Sequence, residues 1–159
     1  MCFWYLNFTP DYLPCIVFGL QMSVFSLLYI GFIDGASRNT QNLASAAWAI
    51  YAPSNELICL QGVCFDWVTN NIIEYSIVIG LLTSFISLGI RRFIIGLDSQ
   101  LVVLQLNNVY TIWSPTLLRV YLRIHLLECH FDYIEYQHIP RCLNTLTDAL
   151  SNYVLDRHL

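Results

Sequence analysis

Asp34, Glu74, Asp98 and Asp148 are four of only eleven acids in the chain, and each falls where an apolar segment changes character. Asp34 closes the run "LLYIGFI", Glu74 lies in the early turns of a long apolar segment, Asp98 follows "FIIGL", and Asp148 opens the last helical pattern. Carboxylates brought together repel and raise one another's pKa unless a cation neutralises them. An all-oxygen donor set of this kind suits magnesium or manganese rather than zinc. Two such ions can clamp the attacking and leaving oxygens of an in-line phosphodiester displacement. The four acids therefore read as candidate ligands of a two-metal site.

Each acid also has a purely structural use. Asp34 precedes Gly35, and Asp-Gly is a turn signal. Glu74 suits the first turns of a helix, Asp98 can cap one, and Asp148 can answer the helix dipole. What separates the two readings is whether the intervening elements bring the acids to one edge.

The punctuation of the chain supplies those elements. "LLYIGFI", "AAWAIYA" (46–52) and "LICLQGVC" (57–64) are β-compatible runs, the last two joined by Pro53-Ser54-Asn55-Glu56, and they suggest a three-strand meander. The segment from Thr69 to Gly89 is apolar-rich, and its length predicts a helix despite its β-branched content. "FIIGL" (93–97) reads as a buried strand and "DSQLVVLQLNN" as a helix capped by Asp98 or Ser99. Pro115 begins a further helix, "FDYIEYQHI" alternates as a strand, and "NTLTDALSNYVL" closes as a helix. The order β-β-β-α-β-α-α-β-α predicts an α/β fold: a mixed five-stranded sheet, three antiparallel strands and then βαβ crossovers, with helices on both faces. If the first and fourth strands are parallel neighbours, Asp34 and Asp98 emerge at the same carboxyl edge, where open α/β sheets bind ligands.

Composition bounds the alternatives. At 159 residues the chain suits one domain, read as 28–159 behind an N-terminal hydrophobic extension or connector remnant, 1–27. The hydrophobic fraction is 57% and the charged fraction 11%, which departs from ordinary soluble composition in both directions. There is no Lys, the seven basic residues are scattered Arg, and the net charge is −4, so no basic stripe announces a polyanion partner. The six Cys lack CxxC spacing and read as reduced thiols of an intracellular protein, cytoplasmic or nuclear. His125, Cys129 and His130 lie within reach of one helix face, but without a second ligand pair they read as packing residues. Tyr12 to Ile33 is an uncharged stretch of spanning length. No Lys or Arg flanks it before Arg38, and Pro14 interrupts its start. A membrane anchor is the minor alternative for this stretch.

Four local motifs carry a resemblance. "FIDGAS" at Asp34, "TNNIIEY" at Glu74, "GLDSQLVVLQLN" at Asp98 and "HIPRCLNTLTDALSN" from His138 to Asn152 together resemble a type 1 ribonuclease H domain, of the kind found in plant retroelement polyproteins. The resemblance covers about Tyr29 to Leu155. It implies a ribonuclease H-like fold and hydrolysis of the RNA strand of RNA–DNA hybrids, leaving 5′-phosphate and 3′-hydroxyl ends. It places Asp34, Glu74, Asp98 and Asp148 on the family's metal-binding acids, with Mg2+ or Mn2+ as cofactor. His138 matches a histidine that assists proton transfer or product release, a role suited to a side chain whose ordinary range spans neutral pH.

The resemblance further implies substrate contacts from Gly35, Ser37, Arg38, Asn70, Asn71, Arg141 and Asn144. Asn70 and Asn71 resemble residues that touch the minor groove, where 2′-hydroxyls distinguish RNA. The implied partners are the hybrid itself and a reverse transcriptase domain of the same polyprotein. Two departures stand out. The Gly- and Pro-rich turn usual after "DGAS" is replaced by "RNTQNLASAAW", and no basic protrusion follows Asp98. Both predict weak hybrid binding by the isolated domain. A catalytically degenerate domain that binds nucleic acid or a protein partner is the competing expectation.

Overall fold

The computed structural model describes residues 2–5, 28–38, 42–66 and 69–157. Its strands are β1 (Cys2–Tyr5), β2 (Tyr29–Arg38), β3 (Leu43–Tyr51), β4 (Leu57–Asp66), β5 (Arg92–Leu97) and β6 (Tyr133–His138). Its helices are α1 (Asn70–Ser87), α2 (Gln100–Leu106), α3 (Pro115–Glu128) and α4 (Thr145–Arg157), with a 3-10 turn at Arg141–Leu143. The sheet runs in the order β1-β4-β3-β2-β5-β6. The pairs β2/β3, β3/β4 and β1/β4 are antiparallel, while β2/β5 and β5/β6 are parallel. The five expected strands are thus present in the expected mixed arrangement. A sixth, Cys2–Tyr5, adds to the β4 edge from within the segment read as an extension. Its pairing is long-range and no turn residue announces it.

Each helix is set by readable local signals. Ile73, Ile77, Leu81 and Phe85 recur at helical spacing on α1, all within 2% exposure, and each contributes on the order of 1.5–3 kcal/mol by burial. Gly89, at φ 69°, stops α1. Its N–H donates to the Ile86 carbonyl and that of Ile90 to Phe85, the paired bonds that close a helix on a left-handed glycine. Pro115 occupies the first turn of α3 after the Ser114 cap.

The helices take opposite faces of the sheet. α1, α2 and α3 share one core with Ile33, Trp48, Phe93 and Ile95; Leu150 and Val154 of α4 pack with Phe32, Ala49 and Leu60 on the other. α1 is long and apolar enough to cross a membrane, but its buried residues are the core of this sheet. Of the stretch 12–33 read as a spanning alternative, Tyr29 to Ile33 is strand and 12–27 lies outside the described residues.

Two glycines let the flanking helices close on the strands. A Cβ at Gly35 would lie 2.6 Å from Ile73 Cγ2 and 2.8 Å from Ile77 Cδ1, and one at Gly62 would lie 2.5 Å from Val154 Cγ2. Both approaches are closer than a side chain permits.

Candidate nuclease cleft

The register of the parallel pair builds the acidic edge. Phe32 pairs with Gly96, so two residues further on Asp34, within β2, and Asp98, just past the end of β5, come out side by side. Asp34 is not a turn residue: β2 continues through it to Arg38, and it pairs with Ala47. Asp98 is not a cap either, because α2 is preceded by Ser99 and makes no side-chain cap bond. Parallel pairing of Leu97 with His138 brings His138 to the same edge, where its Nε2 lies 3.2 Å from the Asp98 carbonyl oxygen.

A cleft of about 380 Å3 opens there, lined by Asp34, Gly35, Ser37, Asn70, Ile73, Glu74, Asp98, Arg141 and Asn152 together with Ala36. Glu74 arrives from the first turns of α1 on the close contact at Gly35. Ser37 Oγ donates to Asn70 Oδ1 at 2.8 Å, tying the α1 start to β2. That bond also shows what Asn70 does locally: Thr69 precedes the helix without a side-chain cap bond. Asp148 flanks the cleft from α4 and accepts from Arg141 Nη2 at 3.3 Å.

The electrostatics are those of crowded acids short of water. Asp34 is only 4% exposed, and burial pushes its pKa up to about 6, with the charges of Asp98 and Asp148 adding and a hydrogen bond from Ser151 opposing. Glu74 is pushed up to about 8, first by burial and then by Asp98 and Asp34, with Arg141 opposing. Among the described residues Glu74 has no hydrogen-bond donor. Oxygen-only donors, desolvated and mutually repelling, fit a hard divalent cation. Among the described residues no three His, Cys, Asp or Glu side chains are drawn close enough to enclose an ion. The fit is one of donor chemistry, with Arg141 supplying positive charge beside Asp148.

The structure places three of the residues expected at the substrate outside the cleft lining. Arg38 does not line the cleft; it pairs with Asp156 near the end of α4. Asn144, expected at the substrate surface, is 2% exposed and donates from Nδ2 to the Ile33 carbonyl at 2.6 Å. It pins the start of α4 to β2 one residue before Asp34. Asn71 is exposed and outside the cleft lining. His125, Cys129 and His130 are engaged by their own helix: His125 Nδ1 meets Glu128 Oε2 at 2.5 Å and His130 Nδ1 meets the Leu127 carbonyl at 3.1 Å. Cys59, Cys129 and Cys142 are free thiols.

Two further residues that the sequence does not single out, Ser151 and Asn152, belong to the site. Ser151 Oγ donates to Asp34 Oδ2 at 2.6 Å, and Asn152 lines the cleft while its Nδ2 donates to the Asp148 carbonyl at 2.8 Å. The available signal was a small polar residue at 151 on the apolar side of a helix, between Leu150 and Val154.

A meander feeding two parallel crossovers, with acids at the carboxyl edge and a helix returning across the opposite face, defines a ribonuclease H-like domain. Sequence comparison agrees: residues 32–154 match the family described as reverse transcriptase-like, and the chain belongs to it. A ribonuclease HI of Halobacterium salinarum is 32% identical over 125 residues, 79% of this chain and 63% of that protein. A bifunctional protein of Mycobacterium tuberculosis is 29% identical over 124 residues, 77% of this chain and 34% of its own length. The chain thus spans less than two thirds of these relatives.

Among solved structures, the ribonuclease H1 of Halobacterium salinarum superposes with a TM-score of 0.77 at 31% identity, covering 81% of this chain and 98% of that one. A ribonuclease H1 isolated from compost, solved in complex with an RNA/DNA hybrid, gives 0.76 at 25% identity, covering 82% and 98%.

Proposed function

We propose that residues 28–159 form a divalent-cation-dependent endonuclease domain that hydrolyses the RNA strand of RNA–DNA hybrids, of retroelement derivation, working inside the cell. The observation that supports it most is the gathering of Asp34, Glu74 and Asp98 in one cleft at the sheet edge, with burial and mutual repulsion raising the pKa of Asp34 and Glu74. The relative solved with an RNA/DNA hybrid supports the choice of substrate. Membership in a reverse transcriptase-like family supports a reverse transcriptase domain of the same polyprotein as partner.

Asp34, Glu74, Asp98 and Asp148 would hold Mg2+, or Mn2+ in its place. When bound, the cation supplies positive charge against the phosphate and activates water. The chain's own groups do the remaining work. Ser37 and Asn70, joined across the cleft wall, present polar atoms suited to sugar hydroxyls. Gly35 lines the cleft beside Asp34 and, by lacking a side chain, lets α1 close on β2 so that Glu74 reaches the same edge. Arg141, exposed and at the cleft mouth, attracts the scissile phosphate and leaves Asp148 as it does so. His138, exposed beside Asp98, delivers a proton to the departing 3′ oxygen as water adds to phosphorus. Arg38 contributes at most a peripheral phosphate contact, since Asp156 engages it.

The Arg141–Asp148 pair favours one second reading, a degenerate domain in which Arg141 serves as the permanent counter-charge and the hybrid is bound but not cut. Cleavage of a hybrid labelled on either strand separates the two. Wild-type protein with magnesium is expected to cut the RNA strand alone, and Asp34→Asn to lose on the order of a thousandfold in rate, several kcal/mol of lost charge stabilisation. Hybrid binding with no cleavage by the folded wild type would select the second reading.

A further inference from the structure

Ser151 is fully buried, yet its side chain is polar and sits on the side of α4 that carries Leu150 and Val154. Its hydroxyl oxygen lies 2.6 Å from Asp34 Oδ2 and 3.0 Å from the carbonyl of Asp148, one turn back on its own helix. A serine inside a helix commonly turns its hydroxyl onto that preceding carbonyl. Here the shorter contact crosses to the sheet. The carbonyl of Ser151 in turn accepts from Ser45 Oγ of β3 at 2.7 Å, and Ser45 is also fully buried. Residue 151 is therefore fixed at both its polar ends, once to β3 and once to the carboxylate of β2.

Packing does not require this hydroxyl. Alanine would occupy nearly the same space and has the higher helix propensity, while a buried hydroxyl is unfavourable unless it is paired. What the hydroxyl adds is direction. A carboxylate swings about its terminal torsion through a broad, roughly two-fold range, and a donor on Oδ2 leaves Oδ1 as the oxygen offered to the cleft.

Building on the cation-dependent reading above, we propose that Ser151 is a positioning residue that holds the Asp34 carboxylate pre-oriented for an incoming divalent cation. Partners of this kind, set behind a ligating side chain, are worth about 10–100-fold in metal affinity or activity.

The test is Mn2+ binding to the full chain, read by loss of the free-ion electron paramagnetic resonance signal, with unfolding temperature in chelator measured alongside. Ser151→Ala is expected to fold and to bind Mn2+ about tenfold more weakly. Ser45→Ala removes a hydrogen bond at the same depth but leaves the Asp34 contact, and is expected to bind within about twofold of wild type even if it unfolds earlier. In an Asp34→Asn background, Ser151→Ala is expected to change affinity by less than about twofold, because the group it orients is gone.

Unchanged affinity in Ser151→Ala, an equal loss in Ser45→Ala, or an undiminished loss in the Asp34→Asn background would each overturn the assignment to Ser151 while leaving the cleft reading intact. Wild-type protein that binds no Mn2+ would overturn the cleft reading, and this proposal with it.

Discussion

The two faces of the sheet each deliver an acid to the cleft, and they do so by different means. On one face α1 lies against β2 through Ile73 and Ile77 at Gly35, with polar ties at its start, Ser37 to Asn70, and at its far end, Trp48 to Ser84 and Ser84 to Gln61. None of these bonds reaches the Glu74 carboxylate. On the other face α4 is pinned beside the acids by Asn144 to the Ile33 carbonyl, Ser45 to the Ser151 carbonyl, and Ser151 to Asp34. Burial is the first cause in raising both acids, Asp34 to about 6 and Glu74 to about 8; the Ser151 bond opposes the rise at Asp34, and among the described residues Glu74 has no such donor. One face fixes a carboxylate by hydrogen bonding, and the other presents a desolvated carboxyl whose charged form a cation would favour.

Changing Glu74 should break this contrast most visibly. In chelator the folded protein holds protons on both acids above the pH at which the unfolded chain, with ordinary values of 3.8 and 4.5, releases them. The native state then binds more protons than the unfolded one, so stability falls as pH rises. Asp34 contributes its share up to about pH 6, and Glu74 continues to about pH 8. Glu74→Gln is expected to abolish the decline between those two values, to unfold at a temperature several degrees higher at pH 8 without cation, and to cut hybrid on the order of a hundredfold more slowly. Thermal unfolding across pH, beside a cleavage assay, reads all three. A decline that persists in Glu74→Gln would place the missing charge elsewhere.

Asn144→Ala tests the pinned face. It strands the buried Ile33 carbonyl and should lower stability by about 1–3 kcal/mol in urea unfolding. Its effect on cleavage should follow from displacement of Asp148, whose backbone N–H donates to the Asn144 carbonyl. If cleavage fell with no change in stability, Asn144 would be a substrate contact after all. Arg38→Ala should have the smallest effect. The pair with Asp156 is partly exposed, and such pairs contribute about 0–1 kcal/mol; hybrid KM should rise no more than a few-fold.

How far these features were legible in the sequence depends on what kind of fact each one is. The acidic edge could be read because it follows from strand order: parallel neighbours that end together must present Asp34 and Asp98 together. Glu74 could be read for the same reason, since a crossover helix begins at a sheet edge. Side-chain direction could not. The resemblance implies that Arg38 and Asn144 face substrate, whereas the end of β2 turns one toward Asp156 and the other is buried just before α4. Ser151 left only the faint trace of a polar residue on an apolar helix side. The β1 edge strand left none, because "CFWY" pairs with a strand some sixty residues away and no hairpin residue marks it.

The most direct measurement is cleavage of a hybrid carrying label on the RNA strand by the full wild-type chain, first in chelator, then with magnesium added in excess. Cutting that is absent in chelator, appears with magnesium and stays confined to the RNA strand is the predicted result. RNA cutting that proceeds in chelator, or none with magnesium in protein shown to be folded, would contradict a cation-dependent hybrid nuclease.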